Sequence, residues 1–136
     1  MPFMTWNQKL SVGVQVMDDD HKRLVGMLNQ LCDAMQAGQG KDVLGCILDD
    51  LVDYTKRHFV REEEIFAKAG YPDAELHHKE HADLTAQVLE VQQKYNSGKD
   101  CMLSLDLMRF LKNWLVNHIQ GSDQKYGPYL NSKGIH

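Results

Sequence analysis

Five histidines and two carboxylates in this chain are spaced in a way that could bind metal. His58 and Glu62 are four residues apart, and so are His77 and His81. On a helix that separation is one turn, about 6 Å of rise, with both side chains on one face. Two such pairs facing each other can chelate. His21 stands alone upstream, and His118 is followed by Asp123 five residues on, across Gly121. A lone histidine on an apolar face is usually a hydrogen-bonded core residue. Five of them gathered beside Glu62 are a different case, because burying several ionisable groups together costs several kcal/mol unless a cation compensates.

The elements that would gather them can be read from turn signals and apolar stripes. Ala37-Gly38-Gln39-Gly40, Ala69-Gly70-Tyr71-Pro72 and Asn96-Ser97-Gly98 divide the chain into four long segments, with Asp73 as N-cap after the second break. Each segment carries apolar residues at alternating spacings of three and four, the seam of a packed helix. The stripes are Leu24, Leu28, Leu31, Met35; Leu44, Leu48, Leu51, Thr55; Leu84, Val88, Val91, Tyr95; and Leu107, Leu111, Trp114. Gly26 and Gly45 interrupt good helical sequence at about 1 kcal/mol each relative to alanine.

Short connections make successive helices antiparallel neighbours. The fold expected is therefore all-α: an up-down-up-down four-helix bundle with an N-terminal arm and a short C-terminal segment, as one domain over residues 1–136. Extending the stripes shows what the bundle does. The first reaches back to His21, the second forward to His58 and Glu62, the third back to His81 and His77, and the fourth forward to His118. In an antiparallel bundle these positions all fall at one end. Asp123 lies past Gly121, where the helix could loosen enough to turn a carboxylate inward.

The donor set narrows the metal. Five imidazoles and two carboxylates exceed the needs of one tetrahedral zinc, and no cysteine joins them. Calcium and magnesium prefer oxygen-only sites. Imidazole with bridging carboxylate suits a pair of first-row metals, with iron foremost. The four-glutamate pattern with two Glu-x-x-His pairs that ferritin-like di-iron proteins use is absent. Fewer anionic ligands favour reversible O2 chemistry over high-valent oxidation.

His21, the His58-x-x-x-Glu62 and His77-x-x-x-His81 pairs, and His118 followed by Asp123 together resemble the hemerythrin family, in particular its single-domain bacterial members. Trp6, Gly13 and Asp18 ahead of His21 extend the likeness, which covers nearly the whole chain. The resemblance implies two iron ions (Fe2+/Fe3+) with an oxo or hydroxo bridge. It places His77, His81 and His118 on one iron, and His21 and His58 on the other, which keeps an open position for O2. It makes Glu62 and Asp123 the bridging carboxylates, and Leu24, Phe59, Trp114, Leu115 and Ile119 the apolar wall of the O2 pocket. The same five also serve as core packing. The activity implied is reversible O2 binding for storage, delivery or scavenging. An O2- or redox-sensing module with a separate partner, and a di-iron enzyme consuming peroxide or nitric oxide, are the alternatives. No further acid-base or nucleophilic constellation accompanies the ligands, so a non-enzymatic role is expected.

The remaining features set bounds. The chain has 136 residues, 43% of them apolar, and a formal charge of -4. That size suits one core, and the charge argues against nucleic acid or an anionic membrane as partner. Lys and Arg are scattered apart from Lys22-Arg23 and Lys56-Arg57. No signal peptide and no membrane span is evident. Cys32, Cys46 and Cys101 are odd in number and set among apolar residues, so they read as free core thiols of a cytoplasmic protein. His78 and His136 match no ligand position. Asp19 and Asp20 are assigned to the helix start, favouring its dipole, and Glu63, Glu64 and Glu80 to solvent.

Overall fold

The structure is a computed structural model that describes residues 4–38, 41–97 and 105–136. A 3₁₀ turn at Gln8–Leu10 precedes α1 (Gln15–Gln36), α2 (Lys41–Ala69), α3 (Ala74–Ser97) and α4 (Leu105–His118). A π-helical segment, Ile119–Asp123, then runs into α5 (Gln124–Ser132). No strand occurs among the described residues. The four long helices form the bundle, with α1 against α2 and α4, and α2 against α3.

The stripes face the core as their spacing requires. Leu28, Leu31, Leu48, Leu51, Val88 and Leu111 are fully buried, while Met35, Leu44 and Leu84 close the seam from its margins. Burial of each leucine is worth about 1.5–3 kcal/mol relative to exposure. The side chain of Leu107 lies outside the described residues. At the α2–α3 turn, Gly70 takes φ +67° and the Tyr71 N–H donates to the Phe66 carbonyl (3.1 Å). That is the Schellman ending of a helix, which favours a residue without Cβ. Asp73 stands at the N-cap position of α3: its carbonyl accepts from the His77 N–H at 3.0 Å.

The arm and the C-terminal segment brace the end of the bundle that carries the histidines. Asp18 of α1 accepts from Ser11 Oγ (2.6 Å) and from the Val12 N–H (2.8 Å), and Asn131 Nδ2 donates to the Gly13 carbonyl (3.0 Å). Gly127 lets the arm lie directly on α5, since a Cβ there would sit 2.0 Å from the Val12 carbonyl oxygen. The short C-terminal segment is a helix with its own buried face, Tyr126 and Leu130. One expectation needs amending. Of the cysteines, Cys32 is buried but Cys46 is exposed, because it projects from α2 away from the neighbouring Ile47 and Leu48; Cys101 lies outside the described residues. No helix of the described residues is long and apolar enough to cross a membrane.

Candidate metal centre

The start of α1, the end of α2, the start of α3 and the end of α4 bring His21, His58, Glu62, His77, His81 and His118 into one buried cluster, and the π segment adds Asp123. All seven are at most 5% exposed. The π segment explains the spacing of five. Along an α-helix, residues five apart point about 140° away from each other; the wider π turn closes that angle and turns Asp123 toward His118. Their facing atoms, His118 Nε2 and Asp123 Oδ1, are 2.9 Å apart.

The donors divide into two overlapping groups that could each hold an ion. Glu62, His77, His81, His118 and Asp123 form one, and His21, His58, Glu62 and Asp123 the other. Within each group the potential ligand atoms lie within 4.8 Å of one another. The two carboxylates belong to both because each presents one oxygen to each side. Asp123 Oδ1 is 2.9 Å from His77 Nε2, while its Oδ2 is 3.0 Å from His21 Nε2. Glu62 Oε1 is 2.9 Å from His81 Nε2, while its Oε2 is 3.5 Å from His58 Nε2.

Despite those distances, Glu62 Oε1, both oxygens of Asp123, and the Nε2 atoms of His77, His81 and His118 have no aligned hydrogen-bond partner. Buried polar atoms left in this state are costly, and such clusters call for an explanation. A cation between them supplies one. Ligands at right angles on a metal, each at about 2.1 Å, are about 3.0 Å apart, which matches the separations just given. His21 Nε2 and His58 Nε2 stand 3.1 Å apart in the same manner. The donors fit first-row metal ions with mixed nitrogen and oxygen coordination.

Electrostatics point the same way. Burial alone would lower the pKa of His58, but Glu62 and Asp20 outweigh it and carry the ring up to about 9. His77 is likewise raised to about 9 by Asp123 and Glu62, and His118 to about 10 by Asp123 and Glu80, both against the pull of burial. Burial would raise Glu62 and Asp123; the surrounding imidazoles hold both well below the ordinary carboxylate range. The two carboxylates therefore demand positive charge, from protons on imidazole or from metal. Metal must displace those protons to reach the nitrogens.

The whole pattern identifies the chain's relatives. Residues 12–130 match the model of the hemerythrin HHE cation binding domain. The chain belongs to the hemerythrin family. It is 37% identical to the bacteriohemerythrin of Methylococcus capsulatus (strain ATCC 33009 / NCIMB 11132 / Bath), over 97% of this chain and 100% of that one. The bacteriohemerythrin of Stenotrophomonas maltophilia (strain R551-3) is also 37% identical, over 97% of this chain and 84% of that one. A solved structure of wild-type hemerythrin superimposes with a TM-score of 0.87 at 37% identity, covering 94% of this chain and 98% of that one.

Around the cluster, four residues matter that sequence reasoning placed elsewhere or passed over. Asp20, assigned to the helix start for its dipole, is buried and does more: it accepts from His58 Nδ1 (2.8 Å), Tyr54 Oη (2.6 Å) and Arg61 (2.7 Å). Glu80 is half-exposed, but it accepts from His118 Nδ1 (2.7 Å) and Ser122 Oγ (2.6 Å), stapling α3 to the π segment. The His118 hydrogen bond is the main reason its carboxyl falls to about 2. Tyr126, fully buried, donates to Glu62 Oε2 at 2.6 Å. The stripe Asp123, Tyr126, Leu130, at spacings of three and four, was its available signal. Glu63 is not simply solvated either, since it pairs with the exposed His78 and lies 3.6 Å from His81 Nδ1. His78 and His136 stay outside the cluster.

An apolar cavity of about 10 Å³ adjoins the cluster, with room for the centre of about one water-sized molecule. Leu24, Phe59, Leu84, Trp114 and Leu115 wall it, together with His21, His58 and His118. Ile119, fully buried at the start of the π segment, is not among the residues that line it. Leu84 of α3 takes part instead, its carbonyl accepting from the Trp114 indole at 3.3 Å.

Proposed function

We propose that this chain binds O2 reversibly at two irons held by His21, His58, Glu62, His77, His81, His118 and Asp123, and serves in O2 storage, delivery or scavenging. One observation carries the reading: the apolar cavity is lined by both histidines of the sparser half, His21 and His58, and by only one of the other half, His118. The half with fewer imidazoles is where a position for a diatomic ligand is to be expected. A pair of irons held by these seven side chains would supply the redox chemistry for reversible O2 binding.

The protein's own contribution is positioning and exclusion. Glu62 and Asp123, each turned toward both halves, tie the two metal positions together. Tyr126 holds Glu62 by its hydroxyl, and its phenol stays protonated because burial and the nearby Glu62 and Asp123 push its pKa well above the ordinary value. Phe59 stacks on His81 with ring centroids 3.9 Å apart and an interplanar angle of 9°, fixing that imidazole while its edge walls the cavity. Leu24, Leu84, Trp114 and Leu115 line the cavity with apolar surface and would keep water and protons from a small molecule bound there. Among the residues that wall the cavity, none beyond the cluster itself offers an acid, base or nucleophile, so a binding role is favoured over turnover.

The test is a cycle of reduction, oxygenation and deoxygenation in a sealed cell, followed by absorption and resonance Raman spectroscopy. A charge-transfer band that appears with O2 and disappears on its removal, over repeated cycles, supports the proposal. Irreversible bleaching with catalytic consumption of added peroxide would replace it with an enzymatic role.

A further inference from the structure

The five histidines differ in what holds their second nitrogen. His118 Nδ1 donates to Glu80, and His58 Nδ1 donates to Asp20. His21 Nδ1 and His81 Nδ1 are buried without a hydrogen-bond partner. In the His21–His58 half, therefore, a protein hydrogen bond orients only one ring, and Asp20 supplies it. Asp20 is itself held in place. Its carboxylate takes up Tyr54 Oη and the Arg61 guanidinium as well as His58, and its side chain is 3% exposed.

The position in the fold adds a second effect. Asp20 and His21 are neighbours on α1, whereas His58, Tyr54 and Arg61 are on α2. The bonds from α2 to Asp20 thus draw together the same two helices whose histidines make up this half. They fix both the tautomer of His58, with Nε2 free to face the cluster, and the 3.1 Å separation of His21 Nε2 from His58 Nε2. A carboxylate on the far nitrogen of a ligating histidine orients the ring and increases its basicity, and its loss lowers metal affinity by about 10- to 100-fold. No comparable bond reaches His77, His81 or His118 from this group, and Glu80 serves the opposite half.

We propose that Asp20, held by Tyr54 and Arg61, is the positioning residue of the His21–His58 half and sets metal retention there without governing the other half. The proposal rests on the metal-centre reading above, and the experiment separates the two. Iron-loaded wild-type protein and the variants Asp20→Asn, Asp20→Glu and Tyr54→Phe would be reduced anaerobically and mixed with the ferrous chelator ferrozine, and iron release followed with time. In parallel, the exchangeable imidazole N–H resonances of the loaded proteins would be recorded by NMR.

In Asp20→Asn, one iron per chain should leave about 10- to 100-fold faster than in wild type while the other keeps its rate. The His58 Nδ1–H resonance should shift or exchange away, and that of His118 should remain. Asp20→Glu should restore part of the retention, and Tyr54→Phe, which keeps the carboxylate, should show a smaller acceleration of the same phase. Equal acceleration of both irons, or release unchanged from wild type, would overturn the assignment of Asp20 while leaving the metal centre intact. Should Asp20→Asn fail to fold, the Tyr54→Phe protein carries the test: an unaltered fast phase there would also overturn it. Wild-type protein that retains no metal pair would overturn the reading of the site, and this inference with it.

Discussion

The two halves of the cluster are built from the same residue types but are solvated and braced differently. His77, His81 and His118 crowd one side, with Phe59 stacked on His81 and Phe66 edge-on to His77. Their outer brace, Glu80, is half-exposed; it holds His118 directly and also takes a hydrogen bond from Ser122 of the π segment. His21 and His58 make up a sparser side that fronts the cavity, and its brace, Asp20, is dry and anchored on α2. Metal retention and ligand access need not, then, be shared equally. A half with three imidazoles can be saturated and rigid, which leaves the other free to trade one ligand position for a small molecule.

Removing what the halves share should have the largest effect. Glu62→Ala takes from both the carboxylate that faces them and leaves Tyr126 and four imidazoles facing a void. Iron content measured by plasma emission should fall from two per chain to below about 0.5, the affinity loss exceeding 100-fold. Two irons retained would show that Glu62 holds neither. His58→Ala touches one side only, so its iron content should fall to about one per chain, with O2 binding abolished in the spectroscopic cycle. Intact O2 binding with two irons would contradict the division into halves.

The sequence carried the seven clustered side chains in plain form. Each apolar stripe, continued by a turn or two, runs into a histidine, and the antiparallel order puts all of these at one end. What stayed hidden lies one helix away from its partner. Asp20 precedes His21, so on α1 it points about 100° aside, and only the neighbouring position of α2 shows that this direction is a buried seam and not solvent. Glu80 reads as solvated because it sits between His77 and His81 on the outer side of α3. Its partners, His118 and Ser122, lie on another helix, and nothing in the sequence shows that their face meets this side of α3.

The cavity wall distinguishes the halves further. Leu115→Ala should admit water on the sparser side, raising the rate of irreversible oxidation of the oxygenated protein several-fold, and should cost about 2–5 kcal/mol of stability. The decay of the charge-transfer band measures the first effect, and an unchanged rate would show that Leu115 does not guard the pocket.

The metal-free protein offers a pH test. The lowered pKa values of Glu62 and Asp123 contribute stability that is present above about pH 4 and lost as the pH falls further, through their folded values. The raised values of His58, His77 and His118 contribute stability that is complete below about pH 6.5. It is lost as the pH rises through about 9 for His58 and His77 and about 10 for His118. These are the same ion pairs viewed from both partners. Thermal melts should therefore show metal-free protein most stable near pH 5–6.5 and weakening toward pH 10. Metal binding, which needs neutral imidazoles, should strengthen over the same rise. A melting temperature that is flat from pH 6 to 10 would count against the buried ion pairs.

A control outside both halves should respond least. Gly26 is exposed on α1, and a Cβ added there would meet nothing within 4 Å. Gly26→Ala should raise stability by about 0.5–1 kcal/mol and leave iron content untouched; a lowered melting temperature would mean that α1 is strained there.

The unequal halves themselves are best tested by Mössbauer spectroscopy of the protein loaded with iron-57, deoxygenated and then equilibrated with O2. Two irons per chain should give two distinct quadrupole doublets of equal area under O2, reverting when O2 is withdrawn. A single iron environment under O2, or a chain that holds one zinc and no iron, would contradict the division of the site into a saturated half and an open one.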